Sequence, residues 1–369
     1  MSAPSRLSGA EDPCPPLPQE YGPLVAELQS RAAERRQPIN GAFELTERCN
    51  LACTMCYVRQ PSGHAAYHAA ELSPAQWLDL ARAAIDHGML FLLLTGGEVF
   101  LRPDFFDIYT PLARLGLVLT LFSNGTLITE AIAARLAEAP PSRTEITLYG
   151  ATAETHEAVT GVPGSYTRAM RGIEALVRHG VPLGLKSTLT RRNVGELEAM
   201  RQLAHGLGLS FTAGHLLFGR RDGAPPSLGD CRLSAAQCVK LEATDLVADD
   251  ERVDVALHRE SLGNNGIFYC YAGKATFRVN SCGEMSPCVH LVQPAARPLS
   301  MGFTAAWEEV QRFVDDASSL SSPCLTCDVR GYCARCPAWS ARETGTLTEP
   351  IPYLCTIARA RQERYERRA

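Results

Sequence analysis

The sequence contains no long hydrophobic run. No apolar stretch in its 369 residues approaches the roughly 18 residues that a membrane-spanning helix needs. Residues 1–19 are polar and rich in proline, without the hydrophobic segment of a secretion signal. We therefore expect a cytoplasmic protein with no membrane partner.

An excess of positive charge is also missing. The chain has 36 Lys and Arg against 40 Asp and Glu, a formal net charge of -4 at pH 7. A surface without a basic field does not attract nucleic acid, so we expect no nucleic-acid partner. A neutral or positively charged substrate is compatible with this balance. The length allows one large domain and a smaller one.

Cysteine is absent from the middle of the chain. Of the 14 cysteines, one is Cys14, three lie within residues 49–56 and ten follow residue 230. In a reducing compartment, closely spaced cysteines indicate metal binding rather than disulfides. The sequence therefore predicts two metal-binding regions on either side of a cysteine-free scaffold.

That scaffold alternates short apolar strands with amphipathic helices, a pattern typical of a parallel sheet with right-handed crossovers. The predicted strands cover 42–46, 91–95, 117–122, 144–149, 182–188 and 209–213. We predict an α/β fold, a partial (β/α)6 barrel. In such barrels the functional residues collect on the loops after the strands, so the first three of these loops are expected to form one site.

The predicted organisation has five parts. They are an N-terminal arm (1–40), the barrel (41–215), a linker with a bridging helix (216–262), a cysteine-rich domain (263–358) and a solvated helical tail (359–369). The cysteine-rich region has too little apolar pattern for a core of its own. We therefore expect bound metal to supply its folding energy.

The loop after the first strand carries Cys49, Cys53 and Cys56 in a C-x3-C-x2-C pattern. A four-iron cluster normally takes four thiolates, so three leave one iron open to a small molecule. Zinc is the alternative, but structural zinc is closed by four ligands and the fourth is missing locally. The triplet favours an open iron–sulfur cluster.

These cysteines, followed by Gly96-Gly97-Glu98 after the second strand, resemble the radical S-adenosylmethionine (radical SAM) enzymes over about residues 41–215. The resemblance implies that the open iron binds S-adenosylmethionine and that Gly96, Gly97 and Glu98 hold its methionine amino group. It implies ribose contacts for Ser123 and Asn124, for which an ordinary Ser-Asn-Gly turn is the alternative. Tyr57 is a further candidate for cofactor binding.

The C-terminal cysteines resemble the SPASM extension of that family, which carries two auxiliary clusters, so that the chain would hold three 4Fe-4S clusters in all. Paired C-x2-C is also typical of zinc ribbons. The resemblance assigns Cys324, Cys327, Cys333 and Cys355 to the outer auxiliary cluster and Cys270, Cys288 and Cys336 to the inner one. The fourth inner ligand stays open between Cys282, Cys231, Cys238 and a free iron coordination site.

The resemblance further implies reduction by flavodoxin or ferredoxin, and cleavage of S-adenosylmethionine to a 5′-deoxyadenosyl radical that abstracts hydrogen from the substrate. Residues 146–152 and 159–166 are similar to SPASM enzymes that mature ribosomally synthesised peptides. We predict a thioether or carbon–carbon crosslink within a precursor peptide, bound with or without a separate recognition protein.

The alternatives are a peptide epimerase with Cys231 as hydrogen-atom donor, a formylglycine-generating sulfatase maturase, and a small-molecule dehydrogenase. Lys186 and His215 lie at strand ends where they could face the cavity, but we interpret them as structural residues. The alternative for Cys231 is a small apolar residue of a helix.

Overall fold

The computed structural model describes residues 21–58, 60–61, 71–221, 228–244 and 266–366. Residues 1–20 of the predicted arm, residues 222–227 and 245–262 of the predicted linker and residues 263–265 of the predicted cysteine-rich domain lie outside the described residues. Within the described part, no helix is long and apolar enough to cross a membrane.

An eight-stranded sheet forms the centre of the molecule, in the order β10-β9-β1-β4-β5-β6-β7-β8. All neighbours pair in parallel except β9 and β10, and the short strands β2 and β3 form a separate parallel pair. The strands are β1 Asn40–Thr46, β2 Arg48–Cys49, β3 Gln60–Pro61, β4 Phe91–Gly96, β5 Val118–Ser123, β6 Arg143–Thr147, β7 Leu183–Thr188, β8 Ser210–Gly214, β9 Thr276–Val279 and β10 Met285–Ser286.

Helices follow the strands of the barrel, and others build the C-terminal region. They are α1 Tyr21–Glu34, α2 Pro74–Asp86, α3 Phe105–Ala113, α4 Glu130–Glu138, α5 Ala153–Thr160, α6 Ser165–Arg178, α7 Leu197–Gly206, α8 Leu228–Cys231, α9 Ala235–Leu241, α10 Pro298–Met301, α11 Phe303–Ser318, α12 Pro337–Thr344 and α13 Pro352–Glu366. Helix α2 begins with a capping box between Ser73 and Gln76 and a proline in its first turn.

The six predicted parallel strands are present in the predicted order, so the α/β fold with a parallel sheet is confirmed. The sheet is wider than predicted, because β9 pairs in parallel with β1, Asn40 opposite Thr276, and β10 then pairs with β9. The C-terminal region thus continues the sheet of the barrel. Alternate residues of the strands face the helices; on β1, Phe43 packs 4.9 Å from the Trp77 ring of α2.

The expectation that the cysteine-rich region lacks an apolar core is wrong. Helix α11, which the sequence did not reveal, buries Trp307 and Val310 against the barrel core. A further cluster around Ile267, Phe268 and Val314 lies inside the region itself. Hydrophobic burial therefore contributes to its stability beside any metal.

The C-terminal tail also differs from its prediction as a solvated helix. Helix α13 begins at Pro352 and packs on α9. Its Arg361 is 1% exposed and donates to Glu242 of the segment after α9, with Nε 2.8 Å from Oε2. Alternating charges in the sequence suggested solvent exposure, whereas one of these charges has a buried partner 119 residues away.

Candidate active site

The loop after β4 is joined to the cysteine loop by backbone hydrogen bonds. Gly97 N–H donates to the carbonyl of Thr46 at 2.7 Å, and Glu98 N–H to that of Arg48 at 2.9 Å. A Cβ atom at Gly96 would lie 2.1 Å from the Thr46 oxygen, and one at Gly97 2.1 Å from the Arg48 oxygen. Only glycine allows the two loops to approach this closely.

The carboxylate of Glu98 is completely buried at the end of β4 and is held on both oxygens. Oε1 accepts from the Ser123 hydroxyl at 2.8 Å and from Phe100 N–H at 3.2 Å, while Oε2 accepts from Asn124 N–H at 2.7 Å. Burial raises the pKa of Glu98 to about 7, although these donors act in the opposite direction. A cation bound at this carboxylate would favour its ionised form.

The side chain of Asn124 connects β5 to the cysteine loop. Its amide nitrogen donates to Asn50 Oδ1 at 2.9 Å and lies 3.7 Å from Cys49 Sγ, and its oxygen accepts from the Thr126 hydroxyl at 2.6 Å. Asn50 Nδ2 in turn donates to Thr126 at 2.8 Å. Asn50 and Thr126 were not singled out from the sequence as site residues. Their closeness in sequence to Cys49 and Asn124 is the feature that could have indicated them.

The three loops predicted to share one edge of the barrel therefore do meet. The cysteine loop is also fixed to the end of α5, since Ala52 N–H donates to Thr160 O at 2.8 Å and Thr54 N–H to Val159 O at 3.1 Å. Helix α5 was not predicted from the sequence.

The thiols of this loop are half-buried near one another. Burial raises the pKa of Cys49 to about 12 and the pKa of Cys53 above its ordinary value, with further contributions from the neighbouring cysteines. Thiolates that repel one another in a buried site require a positive centre, so the donor set fits an iron–sulfur cluster. No three His, Cys, Asp or Glu side chains in the described part of the chain are spaced to hold a single ion, as a preformed zinc site would be.

Two other predicted residues lie around this loop. Cys231 is 2% exposed, packs in an apolar cluster with Met55 and Leu228, and has its Sγ 3.7 Å from Thr54 Oγ1. The ring of Tyr57 lies 5.0 Å from that of His290. Tyr57 therefore contacts the C-terminal region, on a different side from the Glu98 carboxylate contacts.

The pKa shifts of two C-terminal cysteines show which other thiols lie near them. Burial and the neighbouring Cys288 and Cys270 raise the pKa of Cys336 to about 12. Burial and the nearby cysteines likewise raise the pKa of Cys333 to about 12. These nearby cysteines are Cys355, Cys324 and Cys327.

Cys282 stands apart from both groups. Burial raises the pKa of Cys282. The other groups that shift this pKa are Ser281, Glu47, Glu284 and Arg297, and no cysteine is among them. Cys238 lies in an apolar cluster against which Cys336 also packs, and its Sγ is 3.4 Å from Tyr353 Oη. The thiols that act on Cys336 are those of Cys288 and Cys270.

A cavity of about 450 Å³ lies inside the barrel. Its wall includes Phe91 and Leu93 of β4, Thr120 and Phe122 of β5, and Cys288 of the inner cysteine group. Nearby, Glu44 of β1 is buried between two arginines, with Arg221 Nη1 at 2.8 Å and Arg278 Nε at 2.6 Å. The cavity therefore extends from the barrel strands to the inner group of thiols.

The fold and the site define a radical SAM enzyme, and the family model described as the radical SAM superfamily matches residues 43–204. The chain belongs to this family, as predicted. It is 30% identical to the AdoMet-dependent heme synthase of Methanosarcina barkeri over 85% of this chain and 95% of that protein. It is 31% identical to the mycofactocin maturase MftC of Mycobacterium ulcerans over 75% of this chain and 76% of that protein.

Among solved structures, Streptococcus suis SuiB bound to its precursor peptide SuiA has the same fold. It superposes with a TM-score of 0.64 over 96% of this chain and 84% of SuiB, at 14% sequence identity. The barrel and its cysteine-rich C-terminal region therefore share the fold of SuiB.

Proposed function

We propose that this protein is a radical SAM enzyme that modifies a ribosomally made precursor peptide. The observation that carries the proposal is the junction at Glu98, where the Gly96-Gly97 loop and the end of β5 meet the three-cysteine loop. Cys49, Cys53 and Cys56 would hold the first cluster. The two C-terminal cysteine groups would hold two more.

When bound, the first cluster and S-adenosylmethionine supply a radical that removes one hydrogen atom from the substrate. The protein's part is to orient these groups. Glu98, held by Ser123 and Asn124, would accept hydrogen bonds from the methionine ammonium. The glycines allow backbone carbonyls to approach the same group.

For the product we propose an intrapeptide thioether or carbon–carbon crosslink, with flavodoxin or ferredoxin as reductant. The mycofactocin maturase relatives and the fold shared with SuiB support a peptide substrate. Epimerisation would require Cys231 as hydrogen donor. That thiol packs in an apolar cluster with Met55 and Leu228, and the lining of the 450 Å³ cavity comes from other residues.

A second candidate is a reaction in heme synthesis. It is favoured by the AdoMet-dependent heme synthase relatives, of which the Methanosarcina barkeri protein aligns over 95% of its length. The substrate would then be a heme precursor in place of a peptide. The cavity inside the barrel and the junction at Glu98 would serve either substrate.

Anaerobic reconstitution with iron and sulfide, followed by reduction with dithionite, tests the general reaction. We expect 5′-deoxyadenosine from the wild type, and a loss of roughly tenfold or more in Glu98→Gln, because a charge-assisted hydrogen bond to the ammonium is removed. The exposed Glu130→Gln is the matched control and should keep wild-type activity. A wild type that forms no 5′-deoxyadenosine would contradict the proposal.

The substrate is tested by mass spectrometry of two sets of reactions. One contains short peptides encoded beside the gene, and the other contains iron porphyrin heme precursors. A peptide that loses the mass of two hydrogen atoms supports a crosslink, and an unchanged mass with inverted stereochemistry supports epimerisation. Conversion of a porphyrin alone would establish the second candidate.

A further inference from the structure

Lys186 places an ammonium group inside the barrel. It lies in β7, where its backbone is opposite Thr147 of β6 and Thr212 of β8. Its Nζ is 2.7 Å from the ring centroid of Phe122, one of the residues that line the 450 Å³ cavity. The side chain is 23% exposed, and Lys186 lies over a lining residue without belonging to the lining itself. The structure thus places this ammonium beside the cavity.

Lys186 is connected to the candidate active site through neighbouring residues of the strands. The carbonyl of Lys186 accepts from Leu148 N–H at 2.8 Å, and the next residue, Tyr149, hydrogen-bonds to Cys53 of the cysteine loop. Phe122, beneath the ammonium, precedes Ser123, which donates to Glu98. A substrate that extends from the Glu98 junction into the barrel would pass Lys186.

The charges around Lys186 do not balance. The charged groups that act on it are Glu145, 3.6 Å from its Nζ, and Arg143. Glu145 is shared, because Arg143 Nε lies 2.7 Å from its other oxygen. One carboxylate for two cations leaves a local excess of positive charge, and burial lowers the pKa of Lys186 to about 7. A positive charge held away from water is costly until an anion accompanies it.

We propose that Lys186 binds a carboxylate of the substrate and so positions the substrate in the barrel beside the candidate active site. The proposal rests on the proposed function and specifies the chemistry of its substrate. The net charge of the whole chain is compatible with a neutral or cationic substrate, whereas this proposal requires a substrate that carries a carboxylate. Lysine suits this role because its compact ammonium can turn from Glu145 toward a ligand, while the arginine fork is more rigid.

The scarcity of lysine makes a direct test possible. The chain contains only Lys186, Lys240 and Lys274. The reconstituted holoenzyme is acetylated anaerobically with N-hydroxysuccinimidyl acetate, and the labelling rate of each lysine is followed by mass spectrometry. The probes are acetyl-Gly-Glu-Gly-amide and its uncharged match acetyl-Gly-Gln-Gly-amide, at equal millimolar concentrations.

We expect the Glu probe to slow labelling of Lys186 by roughly threefold or more, as occupancy of a site requires, and the Gln probe to leave it unchanged. Lys240 and Lys274 should react equally with either probe. Equal protection of Lys186 by the two probes, or no protection by either, would overturn the proposal. This measurement needs no variant, so it cannot be confused with misfolding.

Binding of the two probes to variants gives the second measurement. Lys186→Met should remove a preference for the Glu probe of roughly tenfold, the size expected for one charge-assisted hydrogen bond, and Lys186→Arg should retain most of it. The exposed Lys240→Met, on α9, is the matched control and should keep the preference. A preference that persists in Lys186→Met would overturn the proposal.

Formation of 5′-deoxyadenosine is measured on the same preparations without probe. Its absence from the wild type would contradict the proposed function, while the labelling result would still decide whether Lys186 takes a carboxylate. The two failures are therefore distinguishable.

Discussion

The hydroxyl of Ser123 donates a 2.8 Å hydrogen bond to the carboxylate of Glu98, across the ends of two neighbouring strands. The adjacent backbone N–H of Asn124 donates to the other carboxylate oxygen at 2.7 Å. The end of β5 thus fixes the orientation of a buried acid at the end of β4. Ser123 and Asn124, which the sequence suggested as ribose contacts, both donate hydrogen bonds to Glu98.

Replacing Ser123 by alanine should weaken binding of S-adenosylmethionine by roughly tenfold, because a buried hydrogen bond to a charged group contributes about 1.5–3 kcal/mol. Equilibrium dialysis on the reconstituted enzyme measures this change. Ser187→Ala is the control, since this buried strand serine has no hydrogen-bond partner for its hydroxyl among the described residues. If both variants bind S-adenosylmethionine equally well, Ser123 does not support Glu98.

Replacing Gly97 by alanine should separate the Glu98 loop from the cysteine loop. The new methyl group would lie 2.1 Å from the Arg48 carbonyl oxygen, which is backbone and cannot rotate away. We expect a loss of about 2 kcal/mol or more in the free energy of unfolding by urea, together with weaker binding of S-adenosylmethionine. Gly206→Ala, at the end of α7, meets no atom within 4 Å and should change neither quantity. Comparable losses in the two variants would argue against the close approach of the loops.

The six strands of the barrel were predictable because each is a short apolar segment followed by a helix with clear ends. The strands β9 and β10 were not, since four and two residues carry no periodicity of their own. They are recognisable as strands only through their pairing with β1 and with each other. Helix α11 was missed in a region where the closely spaced cysteines dominated the interpretation.

The sequence predicted which residues belong to the site better than it predicted the contacts between them. Motif spacing placed Glu98 and Ser123 at the same edge of the sheet, because parallel strands end together. Spacing does not give the direction of a side chain, so the bond between these two residues could not be foreseen. For the same reason, the position of Lys186 beside the cavity depended on the packing of β6 and β7.

His156 should make stability depend on pH. It is completely buried, its Nδ1 accepts from Tyr149 N–H at 3.2 Å, and burial lowers its pKa from 6.5 to about 4. Between these pH values the unfolded chain binds the proton and the folded chain does not. The stabilisation is therefore complete above pH 6.5 and is lost as the pH falls toward 4.

We expect the wild type to lose about 1 kcal/mol more than His156→Gln when urea unfolding is compared at pH 7.5 and 5.5. Groups that titrate in both proteins cancel in this comparison. Equal losses would show that His156 is protonated in the folded protein as easily as in the unfolded one.

Iron content should distinguish the cysteines that hold clusters from Cys282. Reconstituted wild type is expected to contain about 12 iron atoms, and Cys336→Ser about four fewer, because one 4Fe-4S cluster loses a ligand. Cys282→Ser should retain the wild-type content, since the side chains that act on Cys282 include Glu47 and Glu284 and no cysteine. A loss of about four iron atoms from Cys282→Ser would identify it as the missing inner ligand.

The buried pair of Arg361 and Glu242 should be important for the attachment of α13. Arg361 also donates to the carbonyl of Tyr332 at 2.9 Å, and His215 Nε2 lies 2.9 Å from Glu242 Oε1. Arg361→Ala leaves a buried carboxylate with fewer partners, so we expect the free energy of unfolding by urea to fall by about 3 kcal/mol.

Arg359→Ala, at an exposed position of the same helix, is the control and should have little effect. The position of Tyr332 extends the prediction, because the next residue, Cys333, belongs to the outer cysteine group. Arg361→Ala should therefore also lower the iron content of the reconstituted protein relative to the wild type. Equal stability of the two variants, with wild-type iron content in Arg361→Ala, would mean that α13 is held by its apolar residues alone and that the buried ion pair does not support the outer site.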